Sequence, residues 1–120
     1  MTEFDRFKRA LAQTESGDFA QSWGDAGRAC GRWQMHPDWF SDYRPTDAIV
    51  GETWDEWFGR ALQVFWLRRR SEVDTVLKMA EIFHLGYDAW KRGDHDDEYL
   101  YRFQRHWLAL APATPKTTVS

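Results

Sequence analysis

Trp54, Trp57, Phe58, Ala61, Leu62, Phe65 and Trp66 recur at i, i+3 and i+4 over three turns, the strongest helical periodicity in the chain. A stripe this apolar and this aromatic needs packing partners, so the segment predicts a central core helix around which the other elements gather. Thr53 and Glu56 supply a capping pair at its start. Arg68, Arg69 and Arg70 lie at its end, where cations complement the helix dipole. Burial is accordingly the expectation for Trp54, Trp57 and Trp66, and for Trp107 on a later helix.

The flanking segments add shorter helices. Residues 2 to 15 place Phe4, Phe7, Leu11 and Ala12 at helical spacing, and Thr2 with Asp5 forms a capping-box-like start. Residues 17 to 34 hold Gly17, Gly24, Gly27 and Gly31 among Asp, Ser and Gln, which predicts turns and short irregular strands. Pro37 opens a short helix ending near Tyr43, because proline suits a first helical turn. Ser71 with Asp74 predicts the start of a helix that turns Val73, Val76, Leu77, Ala80 and Phe83 inward and stops at Gly86. Tyr87 to Arg92 reads as a further turn closed by Gly93. Asp94 with Asp97 opens a last helix carrying Leu100, Phe103, Trp107 and Leu110. The fold class is mainly α, with about five to six helices and a small irregular β-hairpin after the first. A single domain is expected over 1–111, followed by a flexible tail over 112–120.

Composition narrows the function classes. Sixteen Lys and Arg against nineteen Asp and Glu give a charge of -3, which argues against broad phosphate binding, so no nucleic-acid partner is expected. Any electrostatic steering would fall to a local patch such as Arg68 to Arg70. The single cysteine, Cys30, has no partner for an internal disulfide, which fits a reducing compartment. No apolar run reaches the roughly 20 residues of a membrane span, and the charged N-terminus does not read as a signal peptide. The expectation is a monomer made in the cytoplasm, reaching any external target through a separate delivery system.

Metal and cofactor chemistry find no pattern. His36, His84, His95 and His106 show no HExxH spacing, and the Asp94 to Glu98 cluster reads as a solvated helix start. Neither a Walker A loop, a GxGxxG turn nor a GxSxG elbow occurs, so neither a metal nor a cofactor is expected. Glu15 stands out instead. A carboxyl on the last turn of a rigid helix, beside an aromatic-rich wall, loses hydration; its neutral form is then favoured and it can donate a proton near neutral pH. A solvated surface glutamate is the alternative. Asp18 and Asp25 are the hairpin's candidates for a second carboxylate. Asp25 is favoured, since the hairpin can carry it across a cleft from Glu15 while Asp18 sits in the turn itself; support of its own turn is the alternative for Asp25. Trp23 and Trp33 lie in the polar hairpin, where an indole has less core to enter, so one of them is a candidate to stay exposed near Gln34, with Tyr87 on the opposite wall.

Three elements in order carry a resemblance: the helix-ending Glu15-Ser16, the Gly31-Arg32-Trp33-Gln34-Met35 stretch closing the hairpin, and Phe83-His84-Leu85-Gly86 at a later helix end. Together they resemble the lysozyme-like superfamily, in particular its soluble lytic transglycosylase and goose-type lysozyme branch with the small phage-type wall-degrading domains. The resemblance covers residues 10 to 37 and roughly 76 to 107. It implies an α+β lysozyme-like fold and cleavage of the β-1,4 glycan of peptidoglycan, or a related polysaccharide, with Glu15 as acid/base. It also implies that Gln34, Trp33, His84 and Tyr87 contact the glycan, and that one Glu suffices where the sugar's own hydroxyl closes an anhydro ring. Where the family has Tyr-Asn, this chain has Phe83-His84; neutral His can donate and accept as Asn does. A non-catalytic helical interaction protein, or a glycan-binding member of the same fold, is the alternative function.

Overall fold

Residues 1–24 and 27–110 are described by the structure, a computed structural model. Asp25 and the 112–120 tail, on which two of the expectations above fall, lie outside them. Helix α1 spans Glu3–Ser16, a two-stranded hairpin follows with β1 at Trp23–Gly24 and β2 at Ala29–Cys30, and α2 spans Pro37–Tyr43. Helix α3 covers Trp54–Arg69 and runs into a 3-10 turn at Arg70–Glu72; α4 (Val76–Leu85), α5 (Tyr87–Lys91) and α6 (Asp97–Ala109) complete the order. The chain is therefore mainly helical with a small antiparallel pair after the first helix.

Local side-chain chemistry sets the helix ends. Thr2 and Asp5 close a reciprocal capping box on α1, as Thr53 and Glu56 do on α3. Gly17 ends α1 at φ 69°, its N–H bonding Gln13 C=O at 3.1 Å, and Asp18 N–H reaches back to Ala12 C=O at 3.0 Å, a left-handed glycine stop. That stop fixes the last turn of α1, on which Glu15 sits. Ser16 then ties the turn to the hairpin, its Oγ donating to Arg32 C=O at 2.7 Å and accepting from Phe19 N–H at 3.0 Å.

The hairpin registers Trp23 with Cys30 and Gly24 with Ala29, and Cys30 bridges onward to Met35 across the Gly31–Gln34 turn. Gly31 adopts φ +82°, and a Cβ there would approach Phe58 Cδ2 to 3.0 Å. Both backbone strain and the aromatic neighbour oppose any side chain at this position. Gly31→Ala is expected to destabilise the chain by more than about 1 kcal/mol, read as a lower urea midpoint with unchanged slope.

The core is aromatic and central to α3. Ala61, Leu62 and Phe65 are fully buried and meet Phe7, Ala10 and Leu11 of α1, Met79, Ile82 and Phe83 of α4, and Phe103 of α6 in one cluster. Helices α1 and α6 lie together: Phe7 and Phe103 rings are 5.8 Å apart, and Arg6 donates to Trp107 C=O at 3.1 and 2.8 Å. That guanidinium satisfies a carbonyl near the α6 C-terminus and lies 3.9 Å over the Trp107 ring.

Four sequence expectations change. Trp54 is 74% exposed, since the first turn of α3 projects beyond the core and the hairpin does not close over it. Helix α4 starts at Val76: Thr75 caps it by accepting from Lys78 N–H, while Ser71 lies in the 3-10 turn that Arg70 tightens by donating to Val73 C=O at 3.0 Å. Helix α6 starts at Asp97 because Asp96, not Asp94, accepts from Tyr99 N–H at 3.1 Å. Of the Arg68 to Arg70 patch, Arg69 is paired with Glu72 and Arg70 with Glu3, while exposed Arg68 bonds the neutral Asp42 C=O and keeps its charge unmatched among the described residues.

Candidate active site

Glu15 leaves α1 toward α6, where the Tyr99 hydroxyl donates to Glu15 Oε2. Tyr99 is 2% exposed, so its phenol needs an acceptor inside the protein, and the carboxyl of Glu15 is that acceptor. Burial raises the Glu15 pKa above the ordinary glutamate value; the Tyr99 bond, then the charges of His84 and Arg102, pull it back by less. The Tyr99 phenol is itself pushed well above its usual range, by burial first and by Glu15 next, so it remains a donor. Among the described residues no other hydrogen bond holds Glu15, so Oε1 carries no second bond.

His84, at the end of α4, lies flat on the Tyr99 ring, with centroids 3.8 Å apart and planes 4° from parallel. Its Nε2 is 2.8 Å from Asp96 Oδ2. Asp96 thus serves twice: Oδ1 caps α6 and Oδ2 holds the imidazole. Those two contacts, the α6 backbone N–H foremost, keep the Asp96 carboxyl below its usual range. Arg102 Nη1 donates to Thr14 C=O at 3.3 Å, fastening α6 to the last turn of α1. A carboxyl, a phenol, an imidazole and a second carboxylate therefore form a chain of contacts across α1, α4 and α6. Chemically this is a proton donor of raised pKa, held by a donor that steadies the carboxylate once the proton has left.

The other residues singled out in the sequence are placed differently. Gln34, at φ 51°, turns its Nε2 to Gly31 C=O at 2.8 Å and Ser22 C=O at 3.3 Å, bracing the hairpin from inside. Trp33 is 6% exposed and donates from Nε1 to Lys8 C=O at 2.9 Å. The indole expected at a saccharide subsite is instead part of the core between α1 and α3, because the Gly31–Gln34 turn folds it inward; of the hairpin pair, Trp23 is the exposed one at 70%. Tyr87 lies under the Arg69 guanidinium, 3.6 Å from it, and lines a cleft of about 610 Å³ with Asp42, Tyr43 and Gly86. Asp25 lies outside the described residues.

Five clefts of about 370 to 680 Å³ open on the described surface, and Glu15 lines none of these five. Among the described residues no three His, Cys, Asp or Glu side chains are grouped as metal ligands, and no helix is long and apolar enough to cross a membrane. Sequence reasoning missed Tyr99 and the second role of Asp96. One signal was present: Tyr99 stands four residues before Phe103 on the inward stripe of α6, and a buried phenol demands an acceptor. Comparison of the chain with family models, with curated proteins and with solved structures finds no match.

Proposed function

We propose that the chain cleaves the β-1,4 glycan of peptidoglycan, with Glu15 as general acid and then base. The observation that carries the reading is the half-buried Glu15 carboxyl at the last turn of α1, its pKa raised by burial and its Oε2 held by Tyr99. The protonated carboxyl gives its hydrogen to the leaving glycosidic oxygen as the anomeric C–O bond breaks. The resulting carboxylate, steadied by the Tyr99 donor, takes a proton back from the attacking hydroxyl, which is either water or a hydroxyl of the same sugar. Incubating the chain with purified wall tests the reading: soluble fragments are the expected product, with anhydro ends for intramolecular attack and reducing ends for water. Absence of fragments at high enzyme concentration and across pH 4 to 8 overturns it.

Tyr99→Phe separates the role of the phenol from that of the ring. The variant keeps the His84 stack and loses only the donor, so the Glu15 carboxylate loses the bond that favours it and its pKa moves further up. Turnover is expected to fall about 10- to 100-fold, the scale of one hydrogen bond to a charged group. The descending alkaline limb of the pH–rate profile is expected to shift to higher pH; an unmoved limb would show that Tyr99 does not act on Glu15.

One observation favours a second reading, a glycan-binding protein that does not cleave. The Gln34 amide nitrogen and the Trp33 indole N–H are bonded to the protein's own carbonyls, so these two donors are not free for a glycan. Sedimentation with insoluble wall without fragment release identifies that case.

A further inference from the structure

The hairpin and the start of α3 enclose a cleft of about 670 Å³ that the chemistry at Glu15 does not use. Trp23 on β1 is 70% exposed and Trp54 on the first turn of α3 is 74% exposed, and both line this cleft. Two indoles left in water on one concavity form an apolar surface of the kind that marks a binding site. Phe58, its ring 6.0 Å from that of Trp54, completes the aromatic floor, and Gly31 lies beside it.

The charged groups of the lining are already matched. Asp55 receives Arg32 Nε and Nη2 at 2.8 and 3.1 Å, and Glu52 receives Arg60 Nη1 at 2.9 Å. A cationic ligand would need open carboxylates beside the rings, and an anionic one would need unmatched cations. The cleft offers instead flat apolar faces with the Gln21 amide and the Thr53 hydroxyl beside them. The matching ligand is a neutral ring with apolar faces and hydroxyl or amide groups on its edge, which describes a pyranose. A second cleft of about 370 Å³ adjoins across Trp54 and shares Glu52, Thr53 and Trp54 with the first; apart from Arg44, the rest of its lining is aromatic and apolar. Two adjoining clefts divided by one indole fit a run of linked rings better than a single sugar.

We propose that the Trp23–Trp54 cleft is an accessory site for a neutral polysaccharide chain, spatially separate from Glu15. It goes beyond glycan cleavage and stands whether or not Glu15 is catalytic. The test uses the full chain carrying Glu15→Gln, so that polymer stays intact, and measures co-sedimentation with insoluble chitin as the neutral polymer and with purified peptidoglycan, which carries carboxylates, as the charged comparison. Trp23→Ala and Trp54→Ala are each expected to weaken binding about tenfold, and together about a hundredfold. Both side chains are exposed, so the thermal midpoint is expected to stay unchanged. Soluble chitotriose is expected to perturb the tryptophan fluorescence of the parent and not of the double variant.

Equal binding by parent and double variant overturns the proposal, as does a parent that does not sediment with chitin. So does self-association abolished in the double variant without any polymer binding, which would make a second copy the occupant. A wild-type chain that releases no fragments but binds polymer through these two indoles removes the cleavage reading and leaves this site standing. Fragment release by the wild type, with polymer binding unaffected in the double variant, removes this site alone.

Discussion

Glu15→Gln is expected to lower fragment release from purified wall by at least ~100-fold, the scale of general acid catalysis, while leaving the fold intact. The amide is close to the shape of the protonated carboxyl and its oxygen still accepts from the Tyr99 hydroxyl, so only the transferable proton is lost. Stability moves the other way. The folded chain holds the Glu15 proton more tightly than the unfolded chain, because burial raises the folded pKa above the ordinary 4.5. That contribution to stability is complete below the ordinary glutamate range and disappears as pH rises through the folded value. At pH 7 the variant therefore melts above the wild type, and the difference closes as pH falls below about 4.5. Thermal melts at both pH values check the sign, and fragment release within a few-fold of wild type would remove Glu15 from the chemistry.

Phe65→Ala is expected to cost about 3–5 kcal/mol, roughly a fifth or more of the stability of an ordinary domain. Phe65 has no exposed surface and its ring lies 5.1 Å from Tyr43, 5.5 Å from Trp39 and 5.9 Å from Phe83. Helices α2 and α4 both lose contacts with this side chain of α3, and the rigid aromatic neighbours have little freedom to fill the space. Phe83 directly precedes His84, so loosening this cluster also slackens the imidazole over Tyr99. Urea unfolding followed by circular dichroism measures the loss; a cost under about 1 kcal/mol would mean that the site collapses freely.

Helix positions were legible where the deciding contact is local. Thr2 with Asp5 and Thr53 with Glu56 bond within three residues, so spacing alone locates both starts. Ser71 and Thr75 are both competent caps four residues apart, and the choice fell to Thr75 because Arg70 bonds Val73 C=O and, across the chain, Glu3. Periodicity placed Trp54 on the inward stripe of α3, yet the indole is exposed because no element covers the first turn. Trp33, read from its polar neighbours as a surface side chain, is buried because the turn from Gly31 to Gln34 directs it between α1 and α3.

Glu15 as the residue to examine came from the chain alone, since a carboxylate one residue before Ser16 and two before a glycine stop must lie on the last turn of a helix. Its surroundings came only from packing. Tyr99 is 84 positions away, and His84 and Asp96 meet only because α4 and the start of α6 converge on that same turn. Hydrogen bonds between side chain and nearby backbone are encoded in spacing, whereas burial, and with it the proton affinity of Glu15, is set by which distant surfaces exclude water from it.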